Sequence, residues 1–262
     1  MAQPSVDIVE SQSINKTYMP YHLDEGIAHR AAIGLIVLAT DETIEHEWRR
    51  LLNLDGVSFF VSRIPSARIV TPEALRATEA DITRATHILP NTRLDVVAYG
   101  CTSASVFIGE ETVARRICEA RPGVHCTTPI TAAKAAFQAL GLSRIALFTP
   151  YSEEINQAMR RHLETAGVQV PVRGSFNNKN DTEVARIAPA AIREAVLELG
   201  RESAVEGVFV SCTNLRIAAL IDELEAQLDK PVTSSCHATA WHALRLAGVT
   251  DPLPGQGRLF QC

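Results

Sequence analysis

The chain has 262 residues, 46% hydrophobic and 21% charged, with a formal net charge of −5 and a pI near 5.9. That length can bury one large core or two smaller ones, and an acidic balance without a concentrated basic face excludes a general nucleic-acid binder. The opening Met1-Ala2-Gln3-Pro4-Ser5 lacks the features of a signal peptide and no apolar run reaches membrane-spanning length, so a cytoplasmic protein without a membrane partner is expected.

Residues 1–30 have no sustained period and read as an N-terminal arm. A first α/β unit is expected over 31–126. Ile33-Gly34-Leu35-Ile36-Val37-Leu38 is a continuous apolar run, as in a parallel strand covered on both faces. Polar Thr40-Asp41-Glu42-Thr43 follows, then Ile44, Trp48, Leu51 and Leu52 at helical spacing, so Thr40 or Asp41 is placed to cap a helix. A second strand falls over 57–61, and Thr71-Pro72 opens a helix with Leu75, Ile82 and Leu89 on its buried side. Val96-Val97-Ala98-Tyr99-Gly100 is a buried strand ending at Cys101, after which a loop through Gly109 leads to a helix over 110–120 and a short strand around Cys126.

A second unit over 127–236 repeats this plan. An alanine-rich helix ends at Leu140-Gly141, and Arg144-Ile145-Ala146-Leu147-Phe148-Thr149 is a strand with Pro150-Tyr151-Ser152 at its junction. Ile155, Met159 and Leu163 mark the next helix, 168–172 a strand, 176–181 a polar loop read as a solvated turn placed to act as a lid, and 189–199 a helix. Gly207-Val208-Phe209-Val210-Ser211-Cys212-Thr213-Asn214 then matches the Cys101 strand end, 111 positions on. The same offset carries Leu35-Ile36-Val37 onto Ala146-Leu147-Phe148, inside the corresponding strand. A helix over 237–248 is a candidate to pack back on the first unit, and 249–262 is a tail. The fold class expected is α/β: two similar flavodoxin-like units with mainly parallel sheets, related by a pseudo-twofold internal repeat. Ligands of such sheets bind beyond the carboxyl ends of the strands, which puts the site in the cleft between the units.

Six cysteines in so long a chain do not form a disulfide framework. Cys118 and Cys126 read as core packing and Cys262 as incidental, and Cys236-His237 has no assigned role. A cysteine at a strand end receives hydrogen bonds from free backbone N–H groups, which are expected to stabilise its thiolate and lower its pKa. Thr102 and Ser103 after Cys101, and Thr213 and Asn214 after Cys212, add donors suited to a substrate carboxylate. With one thiol on each face, one can take a proton from the carbon beside the carboxylate while the other returns one from the opposite side, without a cofactor. Either cysteine alone could be a small buried residue; their repetition favours chemistry. Asp41 reads as a helix cap, a substrate contact or both, and Tyr151 as a contact or a packed aromatic. No paired histidine or cysteine spacing supports a metal and no glycine-rich phosphate loop supports a nucleotide. A reading of another class is a two-lobed sensor of a small carboxylate, which would have no need of two thiols.

Gly100-Cys101-Thr102-Ser103 with Ser211-Cys212-Thr213-Asn214 resembles the aspartate/glutamate racemase superfamily. Gly34-Leu35-Ile36-Val37 and Thr149-Pro150-Tyr151 resemble its maleate isomerase and arylmalonate decarboxylase branch, over residues 30–248. The resemblance implies an isomerase, racemase or epimerase working cofactor-free beside a carboxylate, with Cys101 attacking and Tyr151 contacting the substrate. Because decarboxylases of the branch keep only the second cysteine, decarboxylation ranks below isomerisation. The branch's maleate isomerases carry asparagine where this chain has Asp41, which disfavours a dianion and favours a substrate with a positive group. Leu38-Ala39-Thr40-Asp41 with Ala240-Trp241-His242 is most similar to the ectoine-utilisation protein A subgroup, implying a zwitterionic substrate from ectoine or hydroxyectoine breakdown. The partners expected are that small molecule and further copies of the chain, in a dimer or higher homo-oligomer.

Overall fold

A computed structural model describes residues 14–262; the first part of the expected arm, 1–13, lies outside the described residues. Residues 14–26 form no regular element and are exposed. Two four-stranded sheets follow, all of their strand pairs parallel. The first has the order β2-β1-β3-β4, from β1 (Ala31–Leu38), β2 (Val57–Ile64), β3 (Val96–Gly100) and β4 (His125–Thr127). The second repeats it as β6-β5-β7-β8, from β5 (Arg144–Thr149), β6 (Gln169–Ser175), β7 (Gly207–Val210) and β8 (Val232–Ser234). The α/β reading, with its internal repeat, therefore holds strand for strand.

The helices of the first half are α1 (Ile44–Leu51), α2 (Pro72–Ala77), α3 (Glu79–Ile88), α4 (Thr102–Ile108), α5 (Glu110–Ala120) and α6 (Pro129–Ala139). Those of the second are α7 (Glu153–Thr165), α8 (Asp181–Val184), α9 (Pro189–Gly200), α10 (Ile221–Leu228) and α11 (Ser235–Leu246). Two local expectations change. The stretch after Cys101 is the helix α4, with Gly109 at φ +93° ending it, and the helix opened by Thr71 is broken at Thr78 into α2 and α3. At the break the Thr78 hydroxyl donates to the Leu75 carbonyl and meets the Tyr99 hydroxyl at 2.7 Å, competing with the helical ladder.

β1 is buried along its whole length because both of its faces are covered. Ile33, Leu35 and Val37 pack in one cluster with Trp48, Leu51 and Trp241, while Ile36 and Leu38 belong to another. That second cluster runs through Tyr99 and Phe137 to Phe148 and Phe209, so one core crosses from the first sheet to the second. Helix α11 starts at Ser234, whose hydroxyl accepts from the His237 N–H at 3.2 Å, and lays Ala238, Ala240, Ala243 and Leu244 in the core of the first sheet against α1 and α6. His237 is structural. Burial holds its pKa down to about 4, and the neutral ring lies 2.7 Å from the Gln256 carbonyl and 3.0 Å from the Thr233 hydroxyl.

The two sheets are fastened through Asn214, in the loop after β7. Its side-chain Oδ1 accepts from the Glu42 N–H at 3.0 Å, and its Nδ2 donates to the carbonyls of Thr40 at 3.3 Å and Asp181 at 2.9 Å. Nearby, the Glu47 carboxylate of α1 accepts from the backbone of Ile217 at 3.2 Å and Ala218 at 2.6 Å. Removing one partner of such a buried group leaves the others unsatisfied. Asn214→Ala should therefore lower stability by about 2 kcal/mol or more, read in urea unfolding as a lower midpoint at an unchanged slope. An unchanged midpoint would show that the clamp is not needed.

Candidate active site

β3 ends where Gly100 approaches α1 so closely that a Cβ there would lie 2.9 Å from Ile44 Cδ1 and 3.1 Å from the Ile36 carbonyl oxygen. The chain then turns into α4 with Cys101 at the N-cap position. Cys212 holds the equivalent place after β7, and the two thiols line one cavity between the sheets. Both are buried, at 6% and 5% exposure. The Asn214 N–H donates to Cys212 Sγ at 3.3 Å, and Ser103 Oγ lies 3.8 Å from Cys101 Sγ.

Asp41, 3% exposed, caps α1. Its Oδ1 accepts from the N–H groups of Thr43 at 2.8 Å and Ile44 at 2.9 Å, while its Oδ2 is buried without a hydrogen-bond partner. Arg63 steadies the junction from outside the cavity by donating to the carbonyls of Leu38 at 3.1 Å and Asp41 at 2.8 Å. At the opposite junction the Tyr151 backbone is held by Thr149 Oγ1, Asn156 Nδ2 and Ser175 Oγ at 3.1, 3.0 and 2.6 Å. This directs the buried Tyr151 ring to the side chains of Cys212 and Ser103.

Of the eight candidate residues, Asp41, Cys101, Ser103, Tyr151, Cys212 and Thr213 line the cavity together. Thr102 and Asn214 stand one layer back. Thr102 donates to Ser235 Oγ at 2.7 Å, and the Asn214 side chain is occupied by the clamp, so neither presents a free side-chain donor to a ligand. The Thr213 hydroxyl donates to the Gly100 carbonyl at 3.3 Å.

Asp181 is the ionisable lining residue absent from the eight candidates, and Ser66, Thr78 and the apolar Leu38, Ala67, Val70, Ala74 and Leu75 complete the lining. The loop 176–181 is half-exposed, as a solvated turn would be, but it also crosses the cleft and pairs with the first unit. Ile69 and Asn180 form an antiparallel bridge, Val70 N–H donates to the Lys179 carbonyl at 2.9 Å, and Asp181 N–H to the Arg68 carbonyl at 2.9 Å. Thr40 Oγ1 donates to Asp181 Oδ2 at 2.5 Å, which fixes the carboxylate at the cavity.

The electrostatics also correct the expected thiolate. Burial pushes Cys101 up to about 12; the Ala104 N–H and Ser103 hydroxyl pull it down, while the charges of Asp181 and Asp41 push it further up. Cys212 is raised well above its ordinary range by burial and the same carboxylates, despite the Asn214 N–H. Desolvation thus outweighs the strand-end donors, and both groups rest as thiols. Burial also lifts Asp41 to about 6 and raises Asp181. Among the described residues no group of three or more His, Cys, Asp or Glu side chains is placed to hold a metal ion.

Comparison with known proteins gives a family match: the model described as Amdase, arylmalonate decarboxylase, covers residues 33–260. The chain is 32% identical over 200 residues to arylmalonate decarboxylase of Bordetella bronchiseptica, covering 73% of this chain and 81% of that one. It is 26% identical over 241 residues to maleate isomerase of Pseudomonas putida, covering 87% and 96%. A cysteine-to-serine mutant of Nocardia farcinica maleate cis-trans isomerase, solved with a covalently bound succinylcysteine intermediate, superimposes with a TM-score of 0.79 at 25% identity, covering 88% and 98%.

The raised pKa of Asp41 sets a pH dependence of stability. The folded protein binds this proton more tightly than the unfolded chain, so stability is lost as pH rises from about 4 through about 6 and the loss is complete above that. Asp41→Asn keeps an oxygen for the helix cap and removes the charge. Relative to wild type it should gain nothing near pH 4 and up to about 3 kcal/mol above pH 7, measured by urea unfolding across that range. A gain independent of pH would contradict the assignment.

Proposed function

The chain belongs to the arylmalonate decarboxylase family, and from that membership and the shared thiol cavity we propose that it is a cofactor-independent isomerase acting at the carbon beside a carboxylate. The observation that carries this reading is the placement of Cys101, from the first sheet, and Cys212, from the second, at equivalent strand ends on one cavity. Ser103 and Tyr151 stand beside them to position the substrate, and Asp41 marks the end away from a second carboxylate.

In the racemase or epimerase form, one thiol first loses its proton to solvent; the resulting thiolate then takes the proton from the carbon beside the carboxylate and the electron pair spreads into that carboxylate. The opposite thiol then gives its proton to the other face, inverting the centre. In the cis-trans form, the Cys101 thiolate adds to one olefinic carbon while its neighbour takes the Cys212 proton; rotation about the new single bond and reversal of both steps expel the sulfur. The covalent succinylcysteine in the Nocardia farcinica relative supports sulfur attack as a step within this family. We favour racemisation or epimerisation here, because among the described residues no Lys, Arg or His lines the cavity to receive a second substrate carboxylate. The finer reading is a zwitterionic cyclic amidine carboxylate of ectoine or hydroxyectoine breakdown, or an amino acid derived from one, which Asp41 would pair with.

Candidate zwitterions incubated in heavy water should acquire deuterium beside the carboxylate with wild type. Cys101→Ala and Cys212→Ala should each lower that rate by about 10²–10⁴-fold or more while leaving the fold unchanged. Full exchange in either variant would remove that thiol from the mechanism.

A further inference from the structure

We propose that Asp41 and Asp181 together seat a positively charged group of the substrate, making Asp181 a specificity-determining residue and ammonium or amidinium carboxylates the compounds the cavity accepts. This rests on reading the cavity as the reaction site, but it concerns binding and can be tested apart from turnover.

Four observations converge on it. The two carboxylates line one cavity, brought there by different units: Asp41 by the β1–α1 junction and Asp181 by the loop that crosses the cleft. Asp41 Oδ2 is buried and accepts no hydrogen bond among the described residues: the nearby Thr213 hydroxyl, which pulls the Asp41 pKa down, donates to the Gly100 carbonyl at 3.3 Å, and Oδ1 is taken up by the helix cap. A buried carboxylate oxygen without a donor is costly, and an N–H of a bound cation would satisfy it. Among the described residues no cationic side chain lines the cavity. Of the arginines near it, Arg63 is engaged on the backbone of Leu38 and Asp41 and on Glu45, and Arg216, which faces a different pocket, donates to the Ile187 carbonyl. The remaining wall, from Leu38, Val70, Ala74 and Leu75, is apolar and suits a carbon skeleton.

The pairing has a consequence for the thiols. Both carboxylates repel negative charge on Cys101 and Cys212, and Glu42 adds to the field at Asp181. A cation seated between the carboxylates and the sulfurs offsets that repulsion, and an opposite charge within about 4–6 Å is worth about 1–3 pKa units. The positive group of a zwitterion would therefore help ionise the thiol that takes its proton, and a dianion would oppose that ionisation.

The test uses acetamidinium chloride and its neutral isostere acetamide as probes of the full chain, read by calorimetric titration at pH 8. Acetamidinium should bind wild type at least about tenfold more tightly than acetamide, and Asp41→Asn and Asp181→Asn should each erase about tenfold of that preference. Cys101→Ala should keep the preference, since it leaves both carboxylates in place. Equal binding of the two probes to wild type, or no binding of either, overturns the proposal, and this comparison decides it even if the Asn variants fail to fold. If the preference is absent while deuterium exchange persists, the cation seat fails and the two-thiol reading stands. If the preference is present without exchange in any zwitterion, the seat stands and the reaction reading fails.

Discussion

The side-chain amide of Asn214 is the bond on which the arrangement depends. It reaches from the end of β7 to the backbone of Thr40, Glu42 and Asp181, so one residue of the second unit fixes the edge of the first and the loop that spans the cleft. Its own backbone N–H points at Cys212. Registry of the two sheets, closure of the loop and orientation of one thiol therefore share a residue. The core is shared as well, with one apolar cluster running from Ile36 to Phe209, and the site lies above that continuous support rather than between loosely joined lobes.

Within this frame, two thiols, two carboxylates and a phenol line one cavity. Both carboxylates push the thiols toward their neutral forms, the thiols push Tyr151 the same way, and burial acts on all five, while the Tyr151 hydroxyl pulls Cys212 back down. In such a cavity both thiols stay protonated until something compensates the charge. A substrate that brings both a carboxylate and a positive group is electrically matched to it in a way that a dicarboxylate is not. The family relationship covers both decarboxylation and cis-trans isomerisation, so discrimination among these chemistries falls to the cavity lining.

Most of the strand plan was legible in the sequence, because parallel strands buried on both faces leave continuous apolar runs such as 33–38 and 144–149, and a repeat offset of 111 aligns them. Cys101, Cys212, Asp41 and Tyr151 were legible for the same reason: they stand where those runs end. Helix α4 was not, since Thr102-Ser103-Ala104-Ser105 carries no apolar period and is buried by contacts from distant segments. Asp181 was missed because its placement depends on pairing with 68–70, more than a hundred residues away in sequence. Asn214 looked like a ligand donor because its type allows it, and only the three-dimensional count of its partners shows that its side chain is already used. The thiol pKa was misjudged on the same ground: strand-end N–H groups can be read locally, whereas desolvation and the charges of Asp41 and Asp181 cannot.

In the proposed reaction the reacting carbon lies between the two sulfurs. A crystal structure with an unreactive zwitterionic carboxylate in the cleft tests it most directly. The carbon beside the carboxylate should sit about 3–3.5 Å from both Cys101 Sγ and Cys212 Sγ, on opposite faces. A ligand bound with that carbon beyond reach of either sulfur would contradict it.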